Sequence, residues 1–206
     1  MARQLAKQLG YVFIDSGAMY RAIALYFLRH HIAFGDVESV NNALGKIQLA
    51  FVFNPETGKS DMYLNGENVE SEIRDRQVSE NVSNVAAIRE VREFAVAQQQ
   101  QMGEKKGLVM DGRDIGTTVF PQAELKIFMT ADNVVRAARR LKELAEKDPT
   151  VTLEEVKENL EMRDHLDTTR DISPLRKADD AVVLDNTNLT PDEQLAIALS
   201  WAKEKM

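Results

Sequence analysis

The hydrophobic positions of the chain fall into two rhythms. In residues 1–9, Leu5 and Leu9 stand four apart with Arg3, Lys7 and the glutamines on other faces, and Gly10 follows. This spacing predicts a short amphipathic helix stopped by a glycine. Tyr11-Val12-Phe13-Ile14 is a short continuous apolar run, as expected of a strand, and a helix is predicted over about 18–31 on the stripe Ile23, Phe27 and Ile32. From residue 34 to about 76 the period changes to two: Ile47, Leu49, Phe51 and Phe53 alternate, as do Met62 and Leu64, with turn residues between them. That is the pattern of an antiparallel hairpin. Helical spacing returns over 78–101, and buried-type strands are predicted at 108–110, 125–129 and 181–184. Asp132 is placed to cap one helix, Thr152 and Glu155 form a capping box for another ending near Arg163, and Thr190, Pro191 and Glu193 open the last. Short apolar strands alternating with helices predict an α/β fold around a parallel sheet, here interrupted by an insertion. The first helix has no Ser, Thr, Asp or Asn before it and no strand leading into it, so a start upstream of Met1 is expected.

Composition narrows the chemistry. The 206 residues, 44% of them hydrophobic, suffice for one α/β core with small insertions. A net charge of −7 argues against a nucleic-acid or membrane surface, so the arginines should matter as local clusters that hold a small anion. The absence of cysteine excludes disulfides, thiol catalysis and thiolate metal sites. No apolar run approaches the roughly 20 residues that span a bilayer, and no signal segment opens the chain; a soluble, cytoplasmic protein is expected. His30 and His31 end a predicted helix without an acidic or histidine partner at ligand spacing, which fits the helix dipole and not a metal.

Two strands run into polar loops, and these carry the candidate chemistry. Leu108-Val109-Met110 leads into Asp111-Gly112-Arg113-Asp114-Ile115-Gly116-Thr117-Thr118, and the first strand leads into Asp15-Ser16-Gly17-Ala18-Met19-Tyr20-Arg21. Ligands of open α/β sheets sit beyond the carboxyl ends of strands. Gly112 and Gly116 would permit positive φ or close approach to a ligand, and Arg113 offers a fork suited to phosphate. Two loops, each with an arginine and a small hydroxyl, suggest one anion held between them. Ser83, Arg89 and Arg92 lie on the predicted 78–101 helix, either as a wall of the site or as a solvated face. Arg136, Arg139 and Arg140 fall near one helical face, which repels itself unless an anion is present. Asp164, Asp167, Arg170 and Asp171 follow in a polar stretch before Pro174. Gly58-Lys59-Ser60 imitates the end of a G-x-x-x-x-G-K-[ST] phosphate loop, but the first glycine is replaced by Phe53 and the context is a hairpin turn.

Asp15 through Arg21, Asp111 through Thr117, Val119-Phe120-Pro121, and Arg163-Asp164 through Arg170 to Ser173-Pro174-Leu175 together resemble bacterial cytidylate kinases, nearly end to end. The resemblance implies a P-loop nucleoside-monophosphate-kinase-like core at 1–34, 106–135 and 174–206, an inserted monophosphate-binding region at 35–105 and a helical lid at 136–173. It implies phosphorylation of CMP or dCMP by ATP with Mg²⁺, by a monomer acting on small nucleotides. Ser16, Arg21 and Arg113 would hold the acceptor phosphate, and Ser83, Arg92 and Asp114 would read cytosine. Arg163, Asp167 and Arg170 would contact the sugar and phosphates. The lid-side cations Arg136, Arg139 and Arg140, with Arg170, would do the catalytic work of positioning and neutralising charge. The family's phosphate loop and the central strand before it should lie upstream of Met1, so impaired activity and uncovered neighbouring strands are expected of this chain as written. A different nucleoside-monophosphate kinase of the same fold, or a non-catalytic pyrimidine-nucleotide-binding module, remains an alternative.

Overall fold

The computed structural model describes residues 1–146 and 148–206. Helix α1 (Ala2–Leu9) stops at Gly10, whose φ of 69° lets its N–H reach the carbonyls of Ala6 and Lys7. Strand β1 (Val12–Asp15) ends on Asp15, which caps α2 (Ser16–Arg29) by accepting the Ala18 N–H. The inserted region holds α3 (Val37–Leu44), the hairpin β2 (Leu49–Asn54) and β3 (Lys59–Leu64), a short third strand β4 (Glu67–Asn68), a 3-10 turn (Glu72–Arg74), α4 (Arg76–Ala87) and α5 (Arg89–Gly103). Then come β5 (Leu108–Asp111), a π-type turn (Ile115–Val119), β6 (Ile127–Thr130), α6 (Asn133–Ala145), α7 (Leu153–Thr169), β7 (Val182–Asp185) and α8 (Pro191–Lys203).

Both capping boxes and the Asp132 cap form as the residue pattern requires. Two helix boundaries differ from expectation. The single helix expected over 78–101 is two, because Ile88 turns extended (φ −68°, ψ 127°) and serves as C-cap of α4 and N-cap of α5. A β-branched residue tolerates that geometry, and the Arg92 guanidinium donates to the Ala86 carbonyl left exposed by the break. Helix α7 continues to Thr169, six residues beyond the expected end near Arg163. Thr168 and Thr169 would weaken a bare helix, but their hydroxyls donate back to the carbonyls of Asp164 and His165. Asp164 and Asp167 are therefore helical, not part of a polar loop.

The strands form two parallel pairs and one antiparallel sheet. β1 pairs with β5 so that Asp15 stands opposite Asp111, and β6 pairs with β7 so that Thr130 stands opposite Asp185. The order β2-β3-β4 is antiparallel. Among the described residues no ladder joins the two parallel pairs, yet Val109 next to β1 and Ile127 of β6 share one apolar cluster with Leu5 of α1 and Ala198 and Ala202 of α8. The strands expected to be buried are accordingly half-open: β5 is mostly half-buried, and Met129, Val182 and Val183 are exposed, since a two-stranded ribbon covered on one face leaves its other face to solvent. The larger core lies elsewhere. Helix α2, with Met19, Ile23 and Phe27 fully buried, packs with α3, α4, α5 and Met62 and Leu64 of β3 in one cluster. A long, nearly all-apolar helix thus becomes the axle on which the inserted region is mounted, and its first turn is fixed at the strand ends.

Candidate functional site

The carboxyl ends of β1 and β5 lie side by side, and the two polar loops meet there. The Ser16 hydroxyl, first in α2, donates to the Asp111 carbonyl at 2.6 Å. Gly112 makes this approach possible: a Cβ there would collide with Ser16 Oγ and lie 2.8 Å from Ile115 Cδ1. Neither Gly112 nor Gly116 has positive φ. Their expected conformational role is corrected to one of space, against Ser16 and Ile115 in one case and against the Lys126 stem in the other. Lys126 itself is buried and ties the segment down, its Nζ donating to the Pro121 carbonyl (2.6 Å) and to both Asp180 oxygens.

Beyond Gly112 runs a chain of alternating charges. Arg92 of α5 donates in a short contact to Asp114 Oδ2, and Arg170 approaches Asp114 Oδ1 and Asp167 Oδ1, each at 3.4 Å. Arg113 Nε donates to Asp167 Oδ2 at 2.8 Å. Arg92 and Asp114 are 2% and 4% exposed, so water competes little for these bonds. Burial and the nearby Arg92 hold the Arg170 pKa below the usual guanidinium range. Arg92 also stands 5.4 Å from the Tyr20 ring, whose hydroxyl is pushed up to about 12 by burial and stays protonated. Three segments distant in sequence, α5, the loop after β5 and the end of α7, are joined by five side chains.

Arg21 and Arg163 differ from these, because neither has a hydrogen-bond or ion-pair partner among the described residues. Burial brings Arg21 down to about 10, helped by the charges of Arg74, Arg163 and Arg140 and opposed by Asp15. Burial likewise lowers Arg163, with Arg113 and Arg140 adding to it, and its Nε is buried without a partner. Cations gathered in this way, without acceptors of their own among the described residues, leave donors that an anion could use.

The expected lid-side cluster resolves differently. Arg136 pairs with Asp164 of α7 at 2.6 Å, Arg139 donates to Asn186 and to the carbonyls of Asn186 and Thr187 beyond β7, and Arg140 pairs with Glu143. The expectation that this face repels itself without an anion is corrected: each guanidinium finds its own protein acceptor. Ser83 is half-buried on α4, which packs on α7, and its hydroxyl has no hydrogen-bond partner among the described residues. His30 and His31 close α2, and no group of three metal-type ligands occurs among the described residues.

Residue patterning missed a carboxylate pair. Asp15 and Asp111 are register partners at the ends of β1 and β5, and with Glu70, Arg74 and Arg3 they line a cleft of about 490 Å³. Burial resists ionisation of Asp15, but the Arg74 hydrogen bond and charge, then Arg21, hold it below the usual carboxylate range. Asp111, lacking such a partner, is pushed up to about 6 by burial and by Asp15. Both close a short apolar strand, and that shared position was the available signal.

The sequence that builds this site has relatives. A model of the cytidylate kinase family matches residues 1–204. The chain belongs to the cytidylate kinase family. It is 54% identical to the cytidylate kinase of Bacteroides fragilis strain YCH46 over 94% of this chain and 86% of that protein. The cytidylate kinase of Cytophaga hutchinsonii is 54% identical over 100% of this chain and 88% of its own length, and that of Porphyromonas gingivalis is 50% identical over 99% and 90%. Membership accords with the α/β fold, the parallel strand pairs and the inserted antiparallel sheet. No helix among the described residues is long and apolar enough to cross a membrane.

In this cytidylate kinase family member the Asp111 environment has a thermodynamic consequence. A carboxyl whose folded pKa exceeds its unfolded value takes up a proton on folding between about pH 4 and 6, so stability falls as pH rises through that window. Asp111→Asn removes the effect. It is expected to stabilise the protein by about 1 kcal/mol at pH 7.5, less than the full shift because Asp111, though set down in the cleft, keeps part of its surface in water, and by nothing at pH 4. Thermal melts of both proteins at the two pH values check this; an equal shift at both would exclude titration as the cause.

Proposed function

We propose that this protein transfers a phosphoryl group from ATP to CMP or dCMP, with the acceptor seated over the loops that follow β1 and β5. The observation that carries the reading is the pair of half-buried arginines without partners among the described residues, Arg21 and Arg163, the second beside the half-exposed Arg113 and the first one turn beyond Ser16. Ser16, Arg21 and Arg113 then hold the acceptor phosphate, and Arg163, Asp167 and Arg170 the sugar and phosphates. Ser83, Arg92 and Asp114 read the base. Cytosine offers an N4 amino donor that the Asp114 carboxylate can accept and an O2/N3 edge to which a guanidinium can donate. Phosphoryl transfer is carried mainly by positioning and charge neutralisation, the work assigned to Arg136, Arg139, Arg140 and Arg170. Arg136, Arg139 and Arg140 reach the phosphates by releasing the acceptors they hold at Asp164, beyond β7 and at Glu143.

In this reading residues 35–105 embrace the acceptor, 136–173 form the lid, and the rest is the core, with α2 moving with the inserted region whose apolar cluster it shares. The protein acts as a monomer on free nucleotides in the cytoplasm. Mg²⁺ fits the register-paired carboxylates of Asp15 and Asp111, hard oxygen donors of which Asp111 has no ion-pair partner among the described residues. When bound there, Mg²⁺ supplies neutralisation of phosphate charge. The donor side has less support from these residues: within 1–206 the sole Gly-Lys-Ser run, Gly58-Lys59-Ser60, is the β2–β3 turn. Residues 1–206 thus account for acceptor binding more fully than for catalysis. Calorimetric titration with CMP, dCMP, UMP and AMP tests the acceptor assignment. Preference for the two cytosine nucleotides is expected; equal affinity for AMP overturns it.

A further inference from the structure

We propose that Arg74 is a positioning residue for the acceptor-phosphate pocket, acting through the Asp15 carboxylate. The inference rests on the acceptor-site reading above and adds a residue to it. Arg74 closes the 3-10 turn of the inserted region, 59 residues from Asp15, and its Nη2 donates to Asp15 Oδ2 at 2.8 Å and to Glu70 Oε1 at 3.0 Å. Asp15 divides its two oxygens. Oδ2 takes Arg74, while Oδ1 accepts the Ala18 N–H and so starts α2. The first turn of α2 is what carries the pocket: Ser16 bonds across to the Asp111 carbonyl, and the Arg21 guanidinium folds back so closely that a Cβ on Gly17 would lie 2.9 Å from its Nη1.

The placement of this turn depends on Asp15 tolerating Asp111. The two are opposite one another at the ends of neighbouring parallel strands, where strands lie roughly 4.8 Å apart. Like charges at that range repel unless a cation stands by. Arg74 is that cation, and since one nitrogen is shared between Asp15 and Glu70, it is occupied by carboxylates rather than directed at a ligand. Arg21, by contrast, has no acceptor and is directed at the anion. Loss of Arg74 leaves Asp15 to move from Asp111, and α2's first turn moves with it. The damage should fall on the phosphate subsite and spare the base subsite, whose residues come from α4, α5 and the loop after Gly112.

CMP and cytidine are titrated calorimetrically into the protein and into Arg74→Met, Arg74→Lys, Asp15→Asn and the Arg74→Met/Asp15→Asn double variant. Arg74→Met is expected to weaken CMP about tenfold, equivalent to roughly 1.4 kcal/mol, with cytidine unchanged. Arg74→Lys, which retains a charge able to bridge two carboxylates, should recover most of the loss. Asparagine at 15 still accepts the Ala18 N–H but carries no charge, so in that background removing Arg74 should cost CMP affinity less than twofold, a comparison that stands even if Arg74→Met alone does not fold. A full tenfold loss in the Asp15→Asn background, or equal losses of CMP and cytidine, overturns the proposal. Failure of the unaltered protein to bind CMP would refute the acceptor-site reading instead.

Discussion

Asp114→Ala should lower the folding free energy by about 3–5 kcal/mol, the usual loss when one partner of a buried ion pair is removed and the other is left uncompensated. Asp114 is the shared acceptor of Arg92 and Arg170, and the Arg92 and Arg170 side chains are 2% and 6% exposed. Neither guanidinium can turn to water without disturbing α5 or α7. For a chain of this length the loss corresponds to a fall in melting temperature of roughly 6–20 °C. Asp114→Asn is milder and more informative about recognition. The amide keeps one acceptor oxygen but presents an NH₂ where the carboxylate only accepted, so it favours the O4 acceptor of uracil over the N4 donor of cytosine. The advantage of CMP over UMP should shrink by roughly 1–3 kcal/mol, the scale of one base-edge contact. Calorimetry with both nucleotides and a thermal melt measure the two effects. An unchanged CMP to UMP ratio would remove Asp114 from base reading, and a melt within a degree of the parent would contradict the buried network.

Arg113→Lys should weaken CMP binding about tenfold, equivalent to roughly 1.4 kcal/mol, and leave the weaker binding of cytidine unchanged. Lysine keeps the charge but loses the planar fork, which Asp167 orients by accepting the Arg113 Nε–H at 2.8 Å. Under the proposed acceptor site, the remaining nitrogens of that fork face the phosphate that CMP carries and cytidine lacks. Calorimetry with both ligands measures the difference. A parallel loss for cytidine would remove Arg113 from the phosphate subsite.

Much of the fold was legible because its punctuation is local. Gly10, Asp132, Thr152 with Glu155, and Thr190 with Pro191 and Glu193 each act within four residues, and the alternation of Leu49, Phe51 and Phe53 against Met62 and Leu64 specifies the hairpin. The break at Ile88 was not legible, since helical spacing continues on both sides and the donor that satisfies the freed Ala86 carbonyl is Arg92 in the next helix. The end of α7 was missed for a related reason: Thr168 and Thr169 look like helix breakers until their hydroxyls are placed on carbonyls one turn back. For the candidate site, the residues in the two loops could be named from their position after strands. Their partners could not. Arg113 meets Asp167 across 54 residues and Arg170 meets Asp114 across 56, and no spacing rule reaches that far. The same distance hid Arg74, whose neighbours in sequence say nothing of Asp15.

The shared carboxylate of Asp114 also makes ligand recognition a competition. Each of its oxygens already accepts from a guanidinium, Oδ2 from Arg92 and Oδ1 from Arg170. Under the proposed role, a cytosine amino group that takes the place of the longer, 3.4 Å Arg170 contact gains only the difference between two hydrogen bonds. A correct base repays the displaced arginine by offering it the O2/N3 edge, whereas a base lacking the N4 donor leaves the original pairing undisturbed and gains nothing from it. The arrangement therefore trades tightness for discrimination. It also lets the nucleotide leave without stranding a charge, because the protein's own arginine is waiting to close over the vacated oxygen.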